Sequence, residues 1–93
     1  MNAHVSFHNV DHSDALQKFI EEKSNKLARK IRKSENFSWV IDRDAKAFRP
    51  ILKLKLVDGI KPVSAKSHNA FKAVNIVFDK AMKLIQKSHQ KHS

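Results

Sequence analysis

The chain has 93 residues, 41% apolar and 30% charged, with 19 Lys and Arg against 9 Asp and Glu for a formal net charge of +10. A chain of this length buries roughly two thirds of its unfolded surface, enough for one core but not for a core plus a large enclosed cavity, so a single domain over residues 1–93 is expected. Apolar runs such as Ile76-Val77-Phe78 are far too short to span a bilayer, the stretch from Met1 to His8 lacks the basic and apolar regions of a signal peptide, and cysteine is absent. These features exclude disulfides and thiolate chemistry and suit a cytoplasmic protein.

In chain order, Ala3 to His8 alternates His4, Ser6 and His8 against Val5 and Phe7, the pattern of a half-buried strand. Asp11 to Asp14 offers N-caps for a long helix whose apolar residues Leu16, Phe19, Ile20, Leu27 and Ile31 recur at helical spacing. The basic run Arg29 to Lys33 is expected at its C-terminal end, where the helix dipole favours cations. Phe37 to Ile41 reads as a strand rich in aromatic and β-branched residues, with the charged stretch Asp42 to Lys46 as a turn. Phe48 to Val57 alternates Leu52, Leu54 and Leu56 with Lys53 and Lys55, and Asp58-Gly59 is a hairpin dipeptide returning the chain along Ile60 to Lys66. Pro62 cannot donate to a ladder and predicts an edge strand. Asn69 then caps a second long helix with Phe71, Val74, Phe78, Ala81 and Ile85 as its buried stripe, and residues 88–93 are expected to fray.

The order β-α-β-β-β-α predicts an α+β fold: a four-stranded, antiparallel-rich sheet with two helices packed on one face. Its expected core is Val5, Phe7, Leu16, Ile20, Leu27, Leu52, Leu54, Leu56, Val63, Ala65, Phe71, Val74, Phe78 and Ile85. Trp39 is expected to lie in the core or pack on the sheet rather than to stack on a base.

The charge is uneven. Residues 1–46 hold nine basic and seven acidic side chains, whereas residues 47–93 hold ten and two, and beyond Gly59 the one carboxylate side chain is Asp79. At 100° per residue, Lys23, Lys26, Lys30 and Lys33 fall within about 80° of the first helix. Lys72, Lys80, Lys83, Lys87 and Lys91 fall within about 100° of the second. Two helices side by side would present two lysine rows with steps of about 5–6 Å, close to the spacing of backbone phosphates. An amphipathic helix needs a solvated face, but a row almost free of carboxylates points to a polyanionic partner. Lysine outnumbers arginine fifteen to four, which favours phosphate and shape recognition over bidentate base reading. Zinc-finger spacing, a run of stacking aromatics on a strand and a G-x-x-G clamp are all missing.

Two runs resemble a known family. One is Asp14-Ala15-Leu16-Gln17-Lys18-Phe19-Ile20-Glu21-Glu22-Lys23, continuing to Lys26-Leu27; the other is Ser64-Ala65-Lys66-Ser67-His68-Asn69-Ala70-Phe71, then Ala73-Val74-Asn75 and Asp79-Lys80. In order and separation they resemble the hibernation-promoting factor family, the bacterial ribosome-associated inhibitors also called protein Y, in its short form. The resemblance covers residues 3–91. It departs from the family pattern at Asn69, where the family has Asp, at Phe71, where it has Tyr, and at Asp58-Gly59, where it has two glycines.

The resemblance implies a fold similar to a double-stranded-RNA-binding domain with an added first strand. It further implies occupation of the small-subunit channel used by mRNA and tRNA, hence translation inhibition in stressed or stationary cells. The lysines matching the family's basic positions are Lys23, Lys26, Lys30, Lys80, Lys83 and Lys87; with Lys33 and Lys91, which only the helical spacing adds, they form the candidate RNA-binding set. The expected partners are the small ribosomal subunit and the intact ribosome, bound by a monomer, with no cofactor, membrane or small-molecule substrate. Because the domain that pairs ribosomes in long-form members has no counterpart here, pairing by that route is not expected. Alternative readings are a general double-stranded-RNA-binding module and a basic regulator of an acidic protein, the family having also been described as modulating a sigma factor.

Other chemistry is weakly signalled. His4 with His8, and His89 with His92, could share faces, but no acid-rich second shell accompanies either pair, so no metal site is expected. Asp42 and Asp44 stand beside Arg43 and Lys46 and read as a solvated turn rather than an acid–base pair. No serine lies in a nucleophile elbow. No enzyme is expected.

Overall fold

The structure, a computed structural model, describes residues 4–91, Lys91 by its backbone alone. The elements are β1 (Val5–Phe7), α1 (Asp14–Ala28), β2 (Asn36–Asp44), β3 (Ala47–Leu56), β4 (Gly59–Ser64) and α2 (Ala70–Lys91). The expected order is therefore met, with Ala3 lying outside the described residues. The sheet is ordered β1-β2-β3-β4. β1 pairs parallel to β2, so the sheet is mixed, while the β2–β3 and β3–β4 ladders are antiparallel. α1 is the crossover that a parallel β1–β2 pair requires.

Register explains the layering. Trp39 stands opposite both Val5 and Leu52, and Leu52 opposite Val63, so these side chains point to one face. On that face Trp39, Ile41, Leu52, Leu54, Leu56 and Val63 are buried beneath Leu16, Ile20 and Leu27 of α1 and Val74, Val77, Ala81 and Ile85 of α2. Alternation then places Ser38, Lys53, Lys55 and Pro62 on the opposite face, which no helix covers. Trp39, fully buried, donates its indole N–H to Ser24 Oγ of α1 at 2.9 Å, which satisfies both polar groups within the core.

The helices begin as their caps predict. Ser13 Oγ accepts from the Leu16 amide at 3.2 Å, and Asn69 Oδ1 accepts from the amides of Phe71 and Lys72 at 3.0 and 3.2 Å. α1 ends earlier than its periodicity suggests. The Leu27 carbonyl takes the amides of both Lys30 and Ile31, and the Glu35 carboxylate accepts the Arg32 amide, so the chain turns away after Ala28.

Several expected boundaries shift for local reasons. β2 runs on through Asp42 and Asp44, which pair with Arg49 and Ala47, leaving Ala45-Lys46 as the turn with Ala45 at φ 56°. The second hairpin turns at Val57-Asp58 rather than at Asp58-Gly59; Gly59, at φ 130°, already pairs with Leu56. That φ is open to glycine at little cost. Pro62 does lie in an edge strand. Phe71 is not core: it is 42% exposed, because the buried face of α2 is turned toward Ala73, Val74, Val77, Ala81 and Ile85. Its ring instead meets Phe19 edge-on, with centroids 5.2 Å apart.

The expected fraying from residue 88 is not seen in the described part of that stretch. α2 continues to Lys91, Ser88 is buried and donates to Asp58 Oδ1 at 2.8 Å, and His89 Nε2 donates to Glu35 Oε1 at 2.8 Å.

Candidate nucleic-acid interface

The two helices run side by side in the same direction. Phe19 meets Phe71 near their starts, Lys23 meets Phe78 further on, and Lys30 faces Met82 to Gln90 beyond the end of α1. This follows from the sheet: β1 and β4 are both parallel to β2, and each helix returns antiparallel to the strand before it.

The lysines do not form two separate rows. Lys23 is half-buried in the seam between the helices, its Nζ 5.3 Å from the Phe19 ring centre and 4.9 Å from that of Phe78. Both rings stabilise the ammonium by cation–π attraction and hold it in place. Lys30 and Lys33 leave the helix and lie in turns, so the 80° sector predicted for the first helix holds for Lys23 and Lys26 alone. Lys30 nevertheless reaches the site: with Lys83 and His89 it lines an open groove whose floor includes Met82 and Ile85. Lys26 and Lys33 are exposed, and no groove residue joins them to the others.

On the outer flank of α2, Lys80, Lys83 and Lys87 line a second shallow groove with Pro62, Val63 and Ser64 of the edge strand. Lys80 Nζ donates to the Ser64 carbonyl at 3.2 Å. Lys83 belongs to both grooves, and so forms the ridge between them. Lys72 is exposed at the start of α2, and Lys91 closes that helix with its side chain outside the described residues.

Among the described residues none of these lysines pairs with a carboxylate. Four of the nine acids are engaged elsewhere, Asp42 with Arg49 at 3.1 Å, Asp44 with Lys66, Asp58 with Lys61 at 3.4 Å, and Glu35 with His89, whereas Glu21, Glu22 and Asp79 are exposed on the helices. Each of the four engaged carboxyls is held below its ordinary value. For Asp42 the Arg43 amide and then Arg49 are responsible, for Asp44 the ammonium of Lys66, and for Asp58 the hydroxyl of Ser88 and then Lys61. For Glu35 burial pushes upward most strongly, but the Arg32 amide, His89 and the Val57 amide together outweigh it. The lysines of the helix layer outnumber these helix acids and stand outside the close ion pairs, so the arrangement can neutralise phosphates at several points along a backbone.

Sequence reasoning missed the seam. Periodicity placed Lys23 on a solvated stripe, whereas Phe19 and Phe78, four residues before it and on the facing helix, draw it between them. It also missed Met82, Gln86 and His89 as neighbours of Lys30, since that proximity depends on where α1 stops. Asp42 and Asp44 form cross-strand and inter-element ion pairs rather than a turn. Among the described residues no three His, Asp or Glu side chains are grouped to hold a metal ion, and His92 lies outside them.

The fold is that of a small α+β domain known from solved structures. The chain is similar to a ribosomal subunit interface protein from Coxiella burnetii, at a TM-score of 0.77 and 19% identity over 94% of this chain and 96% of that one. It is similar to the N-terminal domain of Protein Y from Thermus thermophilus, at a TM-score of 0.79 and 19% identity over 94% of this chain and 98% of that one. No curated protein matches the chain in sequence. Residues 3–93 match the family described as sigma 54 modulation protein / S30EA ribosomal protein, and the chain belongs to that family.

Proposed function

We infer that the protein is a ribosome-associated factor that binds the small subunit in the channel for mRNA and tRNA and inhibits translation by occupying it. The observation that carries this reading is the set of helix-layer lysines left without carboxylate partners, gathered around Lys83 between two open grooves. Membership of a family described as including a ribosomal protein, and likeness to a ribosomal subunit interface protein, support the choice of ribosome over free RNA. The mechanism is stoichiometric: the lysines neutralise rRNA phosphates while a body of 41 × 23 × 17 Å excludes the competing ligands. Such a role uses no catalytic group or cofactor. It operates in the cytoplasm as a monomer, and among the described residues no helix is long and apolar enough to cross a membrane.

Co-sedimentation with purified small subunits and intact ribosomes at about physiological ionic strength, with a free RNA duplex as competitor, tests the reading. Retention near one copy per particle, resistant to duplex and abolished by K80E/K83E/K87E, is expected. Displacement by duplex, or many copies per particle, favours a general double-stranded-RNA-binding module instead. RNase-insensitive capture of one acidic protein favours a protein regulator.

A further inference from the structure

The sheet face turned away from the helices carries a second cationic patch. Lys53 and Lys55 are exposed on β3, two residues apart on one face and therefore about 7 Å from one another. In the ladder Lys53 stands opposite Ser38 and Lys55 opposite Asn36, so each ammonium has a hydroxyl or amide donor beside it on β2. His4 and Ser6 of β1 share this face, 3.5 Å apart. The acids of this face, Asp42 and Asp44, lie toward the other end of β2 and are engaged by Arg49 and Lys66.

Lysine on an exposed strand often guards a sheet edge against pairing. β3 is not an edge, since β2 and β4 flank it on both sides, so edge protection does not account for Lys53 and Lys55. The neighbours across the face do not form a protein-docking patch either: Val40 and Ile51 are half-buried, and Ile60 is the one large apolar side chain standing well out, at 68% exposure. Ammonium groups spaced like phosphates, flanked by neutral donors and free of nearby acids, complement a phosphodiester backbone.

We propose that this open sheet face, through Lys53 and Lys55 with Asn36 and Ser38, binds a second RNA backbone while the helix layer binds the first. Lys53 and Lys55 point away from the helices, and the two surfaces meet only at the β4 edge, where Pro62, opposite Lys53, also lines the groove of Lys80, Lys83 and Lys87. The protein then acts as a wedge held between two RNA walls, which rests on the ribosome reading above and deepens it.

The test compares K53Q/K55Q with K80E/K83E/K87E in binding to small subunits over a range of salt, and to a short RNA duplex in parallel. K53Q/K55Q is expected to bind the duplex like the parent, to bind small subunits severalfold more weakly, and to lower the salt slope by about 1.5. Unchanged subunit affinity and slope in K53Q/K55Q, with binding abolished in K80E/K83E/K87E, overturns the second face and leaves the ribosome reading standing. Failure of the parent protein to bind subunits overturns both. A photo-crosslinking residue in place of Lys53 adds an independent readout: adducts to rRNA are expected, and adducts to ribosomal protein alone overturn the proposal.

Discussion

His89, near the end of α2, donates from Nε2 to Oε1 of Glu35 in the α1–β2 connection at 2.8 Å, across 54 residues of sequence. The same carboxylate accepts the amides of Arg32 at 2.8 Å and Val57 at 2.9 Å. With its side chain only 1% exposed, Glu35 ties together the exit of α1, the β3–β4 turn and the C-terminal part of α2. Glu35→Gln keeps the size but turns an NH2 group toward donors, so a loss of about 2–3 kcal/mol is expected. His89→Ala leaves both amides satisfied and should cost about half as much. Denaturant unfolding followed by the single tryptophan measures both, and equal small effects would show that Glu35 is not the tie.

The carboxylates give stability a direction with pH. Glu35, Asp42, Asp44 and Asp58 all have folded values below their ordinary ones of 4.5 for Glu and 3.8 for Asp. A group lowered on folding contributes fully above its unfolded value and loses that contribution as pH falls through the folded one. The melting temperature should therefore hold from neutral pH down to about 5 and decline below it. Glu35→Gln should lie below the parent at neutral pH and converge on it in acid. A constant gap across the whole range would contradict the assignment.

What was legible in the sequence was whatever one element decides alone. The order of elements follows from period-two alternation around Leu52, Leu54 and Leu56, period-3.6 stripes and side-chain caps at Ser13 and Asn69. What was not legible depends on partners distant in sequence. α1 stops at Ala28 because the Leu27 carbonyl takes the Lys30 and Ile31 amides and Glu35 captures that of Arg32, and together these move Lys30 and Lys33 off the helix. Phe71 satisfies the helical stripe, yet the face of α2 that meets the sheet lies a fraction of a turn away. Ser88 and His89 read as part of a polar tail, and only the Val57-Asp58 turn and Glu35 give them partners.

Ser24→Ala tests the buried polar link between α1 and the sheet. It removes the acceptor of the Trp39 indole N–H, leaving a donor unsatisfied in the core, and should cost about 1–2 kcal/mol. Trp39→Phe removes the donor but also volume, so the double variant should lose less than the sum of the two. Additive losses would mean that the 2.9 Å bond contributes nothing beyond its separate groups.

Phe71→Ala should cost only about 1 kcal/mol, because the ring is partly in solvent and gives up chiefly its edge-on packing with Phe19. Val77→Ala, a smaller truncation at a fully buried site on the same helix, should cost about 2 kcal/mol. The inverted order in thermal or chemical unfolding would restore Phe71 to the core.

On the proposed reading, the lysines should differ in their contribution to RNA binding according to where the fold leaves them. Lys83 lines both grooves, so its charge acts on a backbone laid in either one. Lys80 already donates to the Ser64 carbonyl and must give up part of that bond to reach a phosphate. Lys33 lies in the turn beyond α1, outside both grooves. Single Lys→Gln variants should therefore weaken small-subunit binding in the order Lys83, then Lys80, then Lys33. Each phosphate left without its lysine should lower the salt slope by roughly 0.7–0.9. Lys23→Gln is a different case: its ammonium lies over Phe19 and Phe78, so the substitution should lower the melting temperature as well as the affinity. If Lys33→Gln instead matches Lys83→Gln in affinity and slope, binding reads only total charge, and the grooves around Lys83 have no special part in it.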